Sequence, residues 1–252
     1  MKILFACGGT AGHINPALSV AGTLKKQDPS VEILFAGSPR GMEARLVQEA
    51  GYRFAPITIK GFQRQLNLRN LKNNLQAVGY LATSTHRAKK ILRAFAPDVV
   101  MGTGGYVSGP ILRCAHKLGI KTLTQEQNAF PGVTTKLLSH YVDKVLLAVP
   151  QAQKYLYEKA DCTVTGNPVR EEVIFASRKA ARERMGVGDK ICIVSFGGSL
   201  GARRVNEAIA DVMAWHAGSG KIHHIHATGA YGTELLPRLL REKGVAFENN
   251  PD

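Results

Sequence analysis

Three glycine clusters constrain this chain more than any other feature. They are Gly8-Gly9-Thr10-Ala11-Gly12-His13, Gly102-Thr103-Gly104-Gly105-Tyr106 and Gly197-Gly198-Ser199-Leu200-Gly201-Ala202. Each follows a short β-rich run and precedes a segment with helical spacing. Glycine lets the backbone turn tightly and bring N–H groups against a ligand, and the field at a helix N-terminus favours an anion. A chain that repeats strand, glycine turn and helix folds as a parallel sheet covered on both faces. None of the three clusters is G-x-G-x-x-G, and none carries the Lys-Ser/Thr of a P-loop. Phosphate binding is therefore favoured over dinucleotide redox chemistry or nucleoside triphosphate hydrolysis.

The alternation extends along the chain. Strands are expected at Lys2–Ala6, Val31–Ala36, Arg53–Ile59, Asp98–Met101, Lys121–Thr124 and Lys144–Ala148, with helices at Asn15–Lys26, Gly41–Glu49, Val107–Leu118 and Val133–His140. Gly166-Asn167-Pro168 is turn chemistry that stops what precedes it, which divides the chain into domains 1–165 and 166–252. After it come a helix at Ser177–Met185, a strand at Lys190–Ser195, a helix at Ala202–Trp215, a strand at Ile222–Ala227, a helix at Gly232–Glu242 and a strand at Val245–Glu248. Doubly wound domains usually have more strands, so the second domain is expected to be incomplete. Trp215 and Phe95 are read as core. His224 and His226 share a strand face, but with no third ligand evident that face is read as polar rather than metal-binding.

Charge is one-sided. Residues 1–165 hold 21 Lys/Arg against 9 Asp/Glu, the remainder 12 against 10, and no acidic residue lies between Gly51 and Pro97. A basic half of this kind implies an anionic partner: nucleic acid, a phosphorylated substrate or an acidic lipid surface. Nucleic acid is disfavoured, because aromatics are only 7% of the residues and no reader motif occurs. Leu68, Leu71, Leu75, Val78 and Leu81/Ala82 recur at helical spacing beside Arg69 and Lys72, a pattern suited to an anionic bilayer surface or to a core-facing stripe. The apolar runs are far shorter than the ~18 residues of a spanning helix, and Ile3–Cys7 is too short for a secretory leader. Cys7, Cys114, Cys162 and Cys192 form no Cys-x-x-Cys pair, which fits a reducing cytosol.

His13 stands at the start of a helix, where the local field favours a neutral imidazole able to accept a proton; a backbone-bound histidine is the plainer reading. Around it the chain resembles a known family. Gly8–Pro16 (GGTAGHINP), Gly102–Pro110 (GTGGYVSGP), Glu126–Asn128 with Pro131-Gly132 (EQNAFPG), Gly166–Arg170 (GNPVR) and Gly197–Ala202 (GGSLGA) are similar, in order, to the motifs of the MurG family of peptidoglycan N-acetylglucosaminyltransferases. Two positions depart from it: Ala11 replaces the usual Gly and Gln125 the usual His, the latter removing an ionisable neighbour of Glu126.

The resemblance implies a GT-B fold with two Rossmann-like domains and parallel sheets. It implies an inverting transfer of GlcNAc from UDP-GlcNAc to the 4-hydroxyl of MurNAc in undecaprenyl-diphosphate-linked MurNAc-pentapeptide (lipid I), with no metal and no cofactor. Gly8, Gly9, Gly104, Gly105 and Tyr106 would serve the acceptor diphosphate. Thr10, Ala11, Gly12 and Asn128 would touch the donor sugar, and Ser199 with Arg170 the UDP diphosphate. His13 is the expected base, with Glu126 as its rival or its orienter. The acceptor would place the protein peripherally on the cytoplasmic side of the cell membrane, with Phe62, Leu66, Leu68 and Tyr80 as contacts. The family's ribose-gripping acid and donor-sugar glutamines lie beyond Asp252, so a fragment with weak donor binding is expected. The alternatives are a non-catalytic acceptor- or membrane-binding remnant, or another GT-B protein such as a lipid galactosyltransferase or a UDP-sugar 2-epimerase.

Overall fold

A computed structural model of the chain describes residues 1–59, 83–198 and 200–249. The apolar stripe from Leu68 to Ala82, the contacts Phe62, Leu66, Leu68 and Tyr80, and Ser199 lie outside the described residues. The described chain forms two compact units, Met1–Ile174 and Phe175–Asp252.

The first unit is built on seven parallel strands: β1 (Lys2–Cys7), β2 (Glu32–Gly37), β3 (Arg53–Pro56), β4 (Val99–Gly104), β5 (Lys121–Glu126), β6 (Lys144–Leu147) and β7 (Cys162–Val164). Their order across the sheet is β3-β2-β1-β4-β5-β6-β7. Both faces of the central strands are apolar, as a doubly covered parallel sheet requires. Along β1 and β2 the side chains alternate. Leu4, Ala6, Leu34 and Ala36 join the core under α3 (83–95), α4 (Ser108–Lys117) and α5 (Val133–Leu138). Ile3, Phe5, Cys7, Ile33 and Phe35 join the core under α1 (Ala11–Gln27) and α2 (Met42–Glu49). Phe5 and Phe35 are register partners and stack with centroids 5.0 Å apart. Phe95 is buried in the first of these cores, on α3.

Sheet order reverses between β1 and β4: the chain builds outward through β2 and β3, then returns to the other side of β1. Ligands of open α/β sheets bind at such a switch point, beyond the carboxyl ends of the strands. Two of the three glycine clusters are the loops that leave β1 and β4. Strand β3 stops at Pro56, short of the expected Ile59, and the three-residue edge strand β7 was not expected at all.

The short helix α6 (Glu171–Ile174) ends the first unit. The second holds α7 (Arg178–Arg184), β8 (Ile191–Phe196), α8 (Arg203–His216), β9 (Ile222–Ala227) and α9 (Leu235–Glu242), with β8 and β9 parallel. The strand expected at Val245–Glu248 does not form. Val245 and Phe247 instead pack on Ala210, Leu236 and Leu240, anchored by side chains without ladder bonds. Trp215 is also not core: it is 82% exposed. At 3.6 residues per turn it lies on the opposite side of α8 from the buried Asn206.

Candidate active site

Strand β1 delivers its loop directly from the core. Gly8 is buried, and Gly9 turns with φ +89°, a left-handed conformation that favours glycine. Thr10 is extended and begins α1, but its side chain makes no capping bond and the first turn holds no acidic residue. The first amides of α1 are thus left for an anion, with the helix field behind them. His13 lies one turn in. Its Nδ1 is 2.9 Å from the Gly8 carbonyl oxygen. A carbonyl only accepts, so Nδ1 carries the proton and Nε2 keeps its lone pair. The Thr10 hydroxyl is 3.4 Å from the same Nδ1.

The β4 loop closes against this one. Its register with β1 shifts between Ala6 and Cys7, whose partners are Gly102 and Gly104, so Thr103 is an extra residue at the strand tip. The Thr103 hydroxyl donates to the His13 carbonyl at 2.6 Å. Gly104 and Gly105 follow with φ of +114° and +81°. A side chain at Gly104 would come within 2.5 Å of the His13 ring, and one at Gly105 within 2.3 Å of the Gly8 oxygen. The two loops therefore meet backbone to backbone, with the imidazole between them. Buried Ser108 secures the junction from below, its Oγ 2.8 Å from the carbonyls of both Ala6 and Gly104. Tyr106 is exposed at the loop's tip.

The β5 loop brings the third element. Glu126 is 3% exposed. Its Oε1 accepts from the Asn128 amide at 3.0 Å and the Asn128 side chain at 2.8 Å, and its Oε2 accepts from the Gly132 amide at 3.1 Å. The carboxylate thus clamps the 126–132 loop and presents Asn128 at the surface. Gln125 is buried and meets two less buried amides: its Nε2 donates to the Glu126 carbonyl at 3.3 Å and lies 3.5 Å from Asn167 Oδ1, while its Oε1 accepts from Gln127. Gln127 also donates to the Thr103 carbonyl at 2.7 Å, tying the β5 loop to the β4 tip. Arg170 is exposed just before α6.

Residues 3–147 match the glycosyltransferase family 28 N-terminal domain. The chain belongs to glycosyltransferase family 28. A relative from Acetivibrio thermocellus is 44% identical over 230 residues, 91% of this chain and 61% of its own length. It is named UDP-N-acetylglucosamine–N-acetylmuramyl-(pentapeptide) pyrophosphoryl-undecaprenol N-acetylglucosamine transferase. A relative of the same name from Desulforamulus reducens is 40% identical over 251 residues, 99% of this chain and 66% of its own. The crystal structure of Acinetobacter baumannii MurG matches over all of this chain and 66% of its own, at 26% identity and a TM-score of 0.65. The UDP-GlcNAc 2-epimerase of Neisseria meningitidis matches in fold alone, at 12% identity and a TM-score of 0.62 over all of this chain and 73% of its own. The chain spans about three-fifths to two-thirds of the length of these curated relatives. The fold is α/β of the GT-B class, and the resemblance read from the motifs holds.

In this family 28 chain the second unit repeats the loop device. Gly198 and Gly201 have φ of +87° and +79°. A side chain at Gly201 would meet the Thr228 carbonyl at 2.1 Å, so the loops leaving β8 and β9 also touch backbone to backbone. Beneath them runs a line of hydrogen bonds that the sequence reading missed. Asn206 Nδ2 donates to the Thr228 carbonyl at 3.1 Å, so its Oδ1 accepts from His226 Nε2 at 2.8 Å. His226 Nδ1 then accepts from the Ser195 hydroxyl at 2.7 Å, Ser195 accepts from His224 Nε2 at 2.8 Å, and His224 Nδ1 accepts from His216 Nε2 at 2.9 Å. One assignment of protons satisfies every bond of the line, with His224 and His226 neutral. Burial, and then His216 and His226, hold His224 below its ordinary range; burial does the same to His226 against an opposing Ser195 bond.

Around the first site, sequence reading also missed Thr103, Gln127, Ser108 and Glu43. Thr103 lay inside a recognised cluster. Ser108 and Gln127 lay inside quoted motifs too, but with no role assigned; what marks them and Glu43 is a bond to a distant part of the chain, to Ala6, Thr103 and Gly9.

Proposed function

We propose that the chain acts in the transfer of GlcNAc from UDP-GlcNAc to the 4-hydroxyl of the MurNAc unit of lipid I, with inversion at the anomeric carbon. The observation that carries this reading is His13, held by the Gly8 carbonyl as the Nδ1–H tautomer between two glycine loops at the switch point of the sheet. In this reading Nε2 takes the acceptor hydroxyl proton as the oxygen attacks the anomeric carbon. The bond from that carbon to the UDP oxygen breaks, and UDP leaves with its electron pair. The β1 and β4 loops, Gly8, Gly9, Gly104 and Gly105 with Tyr106, line the place of the acceptor diphosphate. The Gly9 and Gly104 amides are already taken by Glu43 and Ser108, so the first amides of α1 are the donors in this reading. Thr10, Ala11, Gly12 and Asn128 meet the donor sugar, while Arg170 and the Gly197–Ala202 loop with Ser199 serve the UDP diphosphate. Glu126 acts through Asn128, as the clamp of its loop. The test is transfer of labelled GlcNAc to a short-chain lipid I analogue: His13→Ala lowers the rate by about 10²-fold or more, and an unchanged rate refutes the base.

The same reading places the protein peripherally on the cytoplasmic face of the membrane. Supporting it, α3 buries Ala88, Leu92 and Phe95 and exposes Arg87, Lys89, Lys90 and Arg93. No helix among the described residues is long and apolar enough to cross a membrane. Sedimentation with vesicles rises with anionic lipid and falls with salt; binding indifferent to both refutes it.

A further inference from the structure

Glu43, on α2, is the most deeply buried carboxylate of the first unit, at 1% exposure. It stands directly beneath the β1 loop. Its Oε1 accepts from the Ser38 amide at 2.8 Å and its Oε2 from the Gly9 amide at 3.2 Å, so one side chain ties together the loops leaving β1 and β2. Its room is made by three glycines from two parts of the chain: a Cβ at Gly8, Gly37 or Gly41 would fall 2.3 to 2.5 Å from Glu43 atoms. A charge this deep is costly unless it is hydrogen-bonded, and here backbone amides satisfy it. Its field also reaches the tip of β1, where burial and then the Glu43 charge push the Cys7 thiol up.

The decisive geometry is a single peptide group. The N–H that Glu43 binds and the carbonyl that His13 binds belong to the same Gly8–Gly9 peptide. This peptide is trans, so the planar unit points its N–H and its carbonyl in opposite directions. Fixing one end fixes the other. Turning the peptide over would cost both hydrogen bonds at once. With a carboxylate pulling on the N–H, the carbonyl becomes a better acceptor for the His13 Nδ1–H. This is the office a carboxylate performs when it contacts a histidine directly: it sets the tautomer and favours the charged ring once a proton arrives.

We propose that Glu43 is a positioning residue for His13, acting through the Gly8–Gly9 peptide to hold the imidazole in its Nδ1–H form with Nε2 ready to accept. The role as a base rests on the function proposed above; the effect on the tautomer does not.

Two-dimensional 15N–1H correlation of the His13 ring at neutral pH, on the whole chain, reads the tautomer without requiring turnover. The wild type shows a protonated Nδ1 and an unprotonated Nε2. Glu43→Gln keeps the shape but presents an amide N–H to a backbone N–H. It shifts the ratio of Nδ1–H to Nε2–H about tenfold toward Nε2–H, the scale of a hydrogen bond to a charged group. If that variant does not fold, Gly41→Ala keeps the charge and displaces the carboxylate from a backbone with φ −87°, which alanine adopts freely; it shifts the ratio the same way. An unchanged tautomer in either folded variant overturns the inference, whatever its effect on melting temperature. A shifted tautomer together with full transfer activity in His13→Ala would leave the coupling standing and remove the base.

Discussion

Replacing Gly105 by alanine imposes two separable burdens. The first is conformational: at φ +81° an L-residue is strained by roughly 1–2 kcal/mol. The second is contact. The new methyl would stand 2.3 Å from the Gly8 oxygen, a backbone atom that cannot rotate aside. Reaching an ordinary separation near ~3.5 Å requires the β1 and β4 loops to part by about 1 Å. Overpacking of that kind costs about 1–3 kcal/mol, for a total of roughly 2–5 kcal/mol. Gly119→Ala separates the two burdens, because Gly119 has φ +72° with nothing within 4 Å of its would-be Cβ and shows the conformational part alone. Urea unfolding of both variants measures the difference. Gly105→Ala also weakens the bond from His13 Nδ1 to Gly8, so on the function proposed above GlcNAc transfer falls further than in Gly119→Ala. Equal stability and equal transfer in the two variants would refute the close meeting of the loops.

Removing the Glu126 side chain leaves three N–H donors in and around Asn128 and Gly132 without their acceptor. Glu126→Ala should destabilise the protein by about 1–3 kcal/mol and speed amide exchange at Asn128 and Gly132, whereas slow exchange there would contradict the clamp. The histidine line predicts a pH effect of definite sign. His224 and His226 sit below their ordinary range, so at acid pH the unfolded chain binds protons the folded chain refuses. Their neutral forms support the fold fully above about pH 6.5, and that support fades as pH falls through their lower folded values. Protection factors for amides 222–227 should therefore fall between pH 7.5 and 5 while those of β1 hold, and Ser195→Ala should lower them at both values. Flat protection in the wild type would refute the neutral line.

Where pattern is local, the fold was legible. β1 and β2 announce themselves by unbroken apolar runs, because both faces of a central parallel strand are buried. The glycine clusters mark the turns, because left-handed backbone is a demand of one residue at a time. Legibility fails at the edges. The expected strand at Val245–Glu248 has the right residues, but a strand exists only by pairing, and its two apolar side chains found a helix surface instead. Trp215 was read as core by its type, while the direction in which α8 faces was set by the distant Leu236 and Leu240. Strand β7 was missed for the converse reason: three residues, two of them exposed, are ordered by the ladder of β6.

The site divides along the same line. Loops and His13 could be named because each glycine is required by its own φ or by the approach of another backbone. The layer that sets their chemistry could not, because its bonds join residues far apart in the chain: Glu43 to Gly9, Thr103 to His13, Ser108 to Ala6. Such contacts follow from strand order. Once β1 lies between β2 and β4, the loop after β2 and the helix after β4 are the nearest structures from which a side chain can reach the β1 tip. The β2 side supplies a carboxylate from α2, which holds the peptide between Gly8 and Gly9, and the β4 side a hydroxyl from α4, which holds the Ala6 carbonyl two residues before it; no local reading of the β1 loop contains either. A loop meant only to cradle an anion would gain nothing from a buried negative charge at its base. A loop that must also fix the tautomer of an imidazole does gain, and this asymmetry ties the reading of His13 to the presence of Glu43.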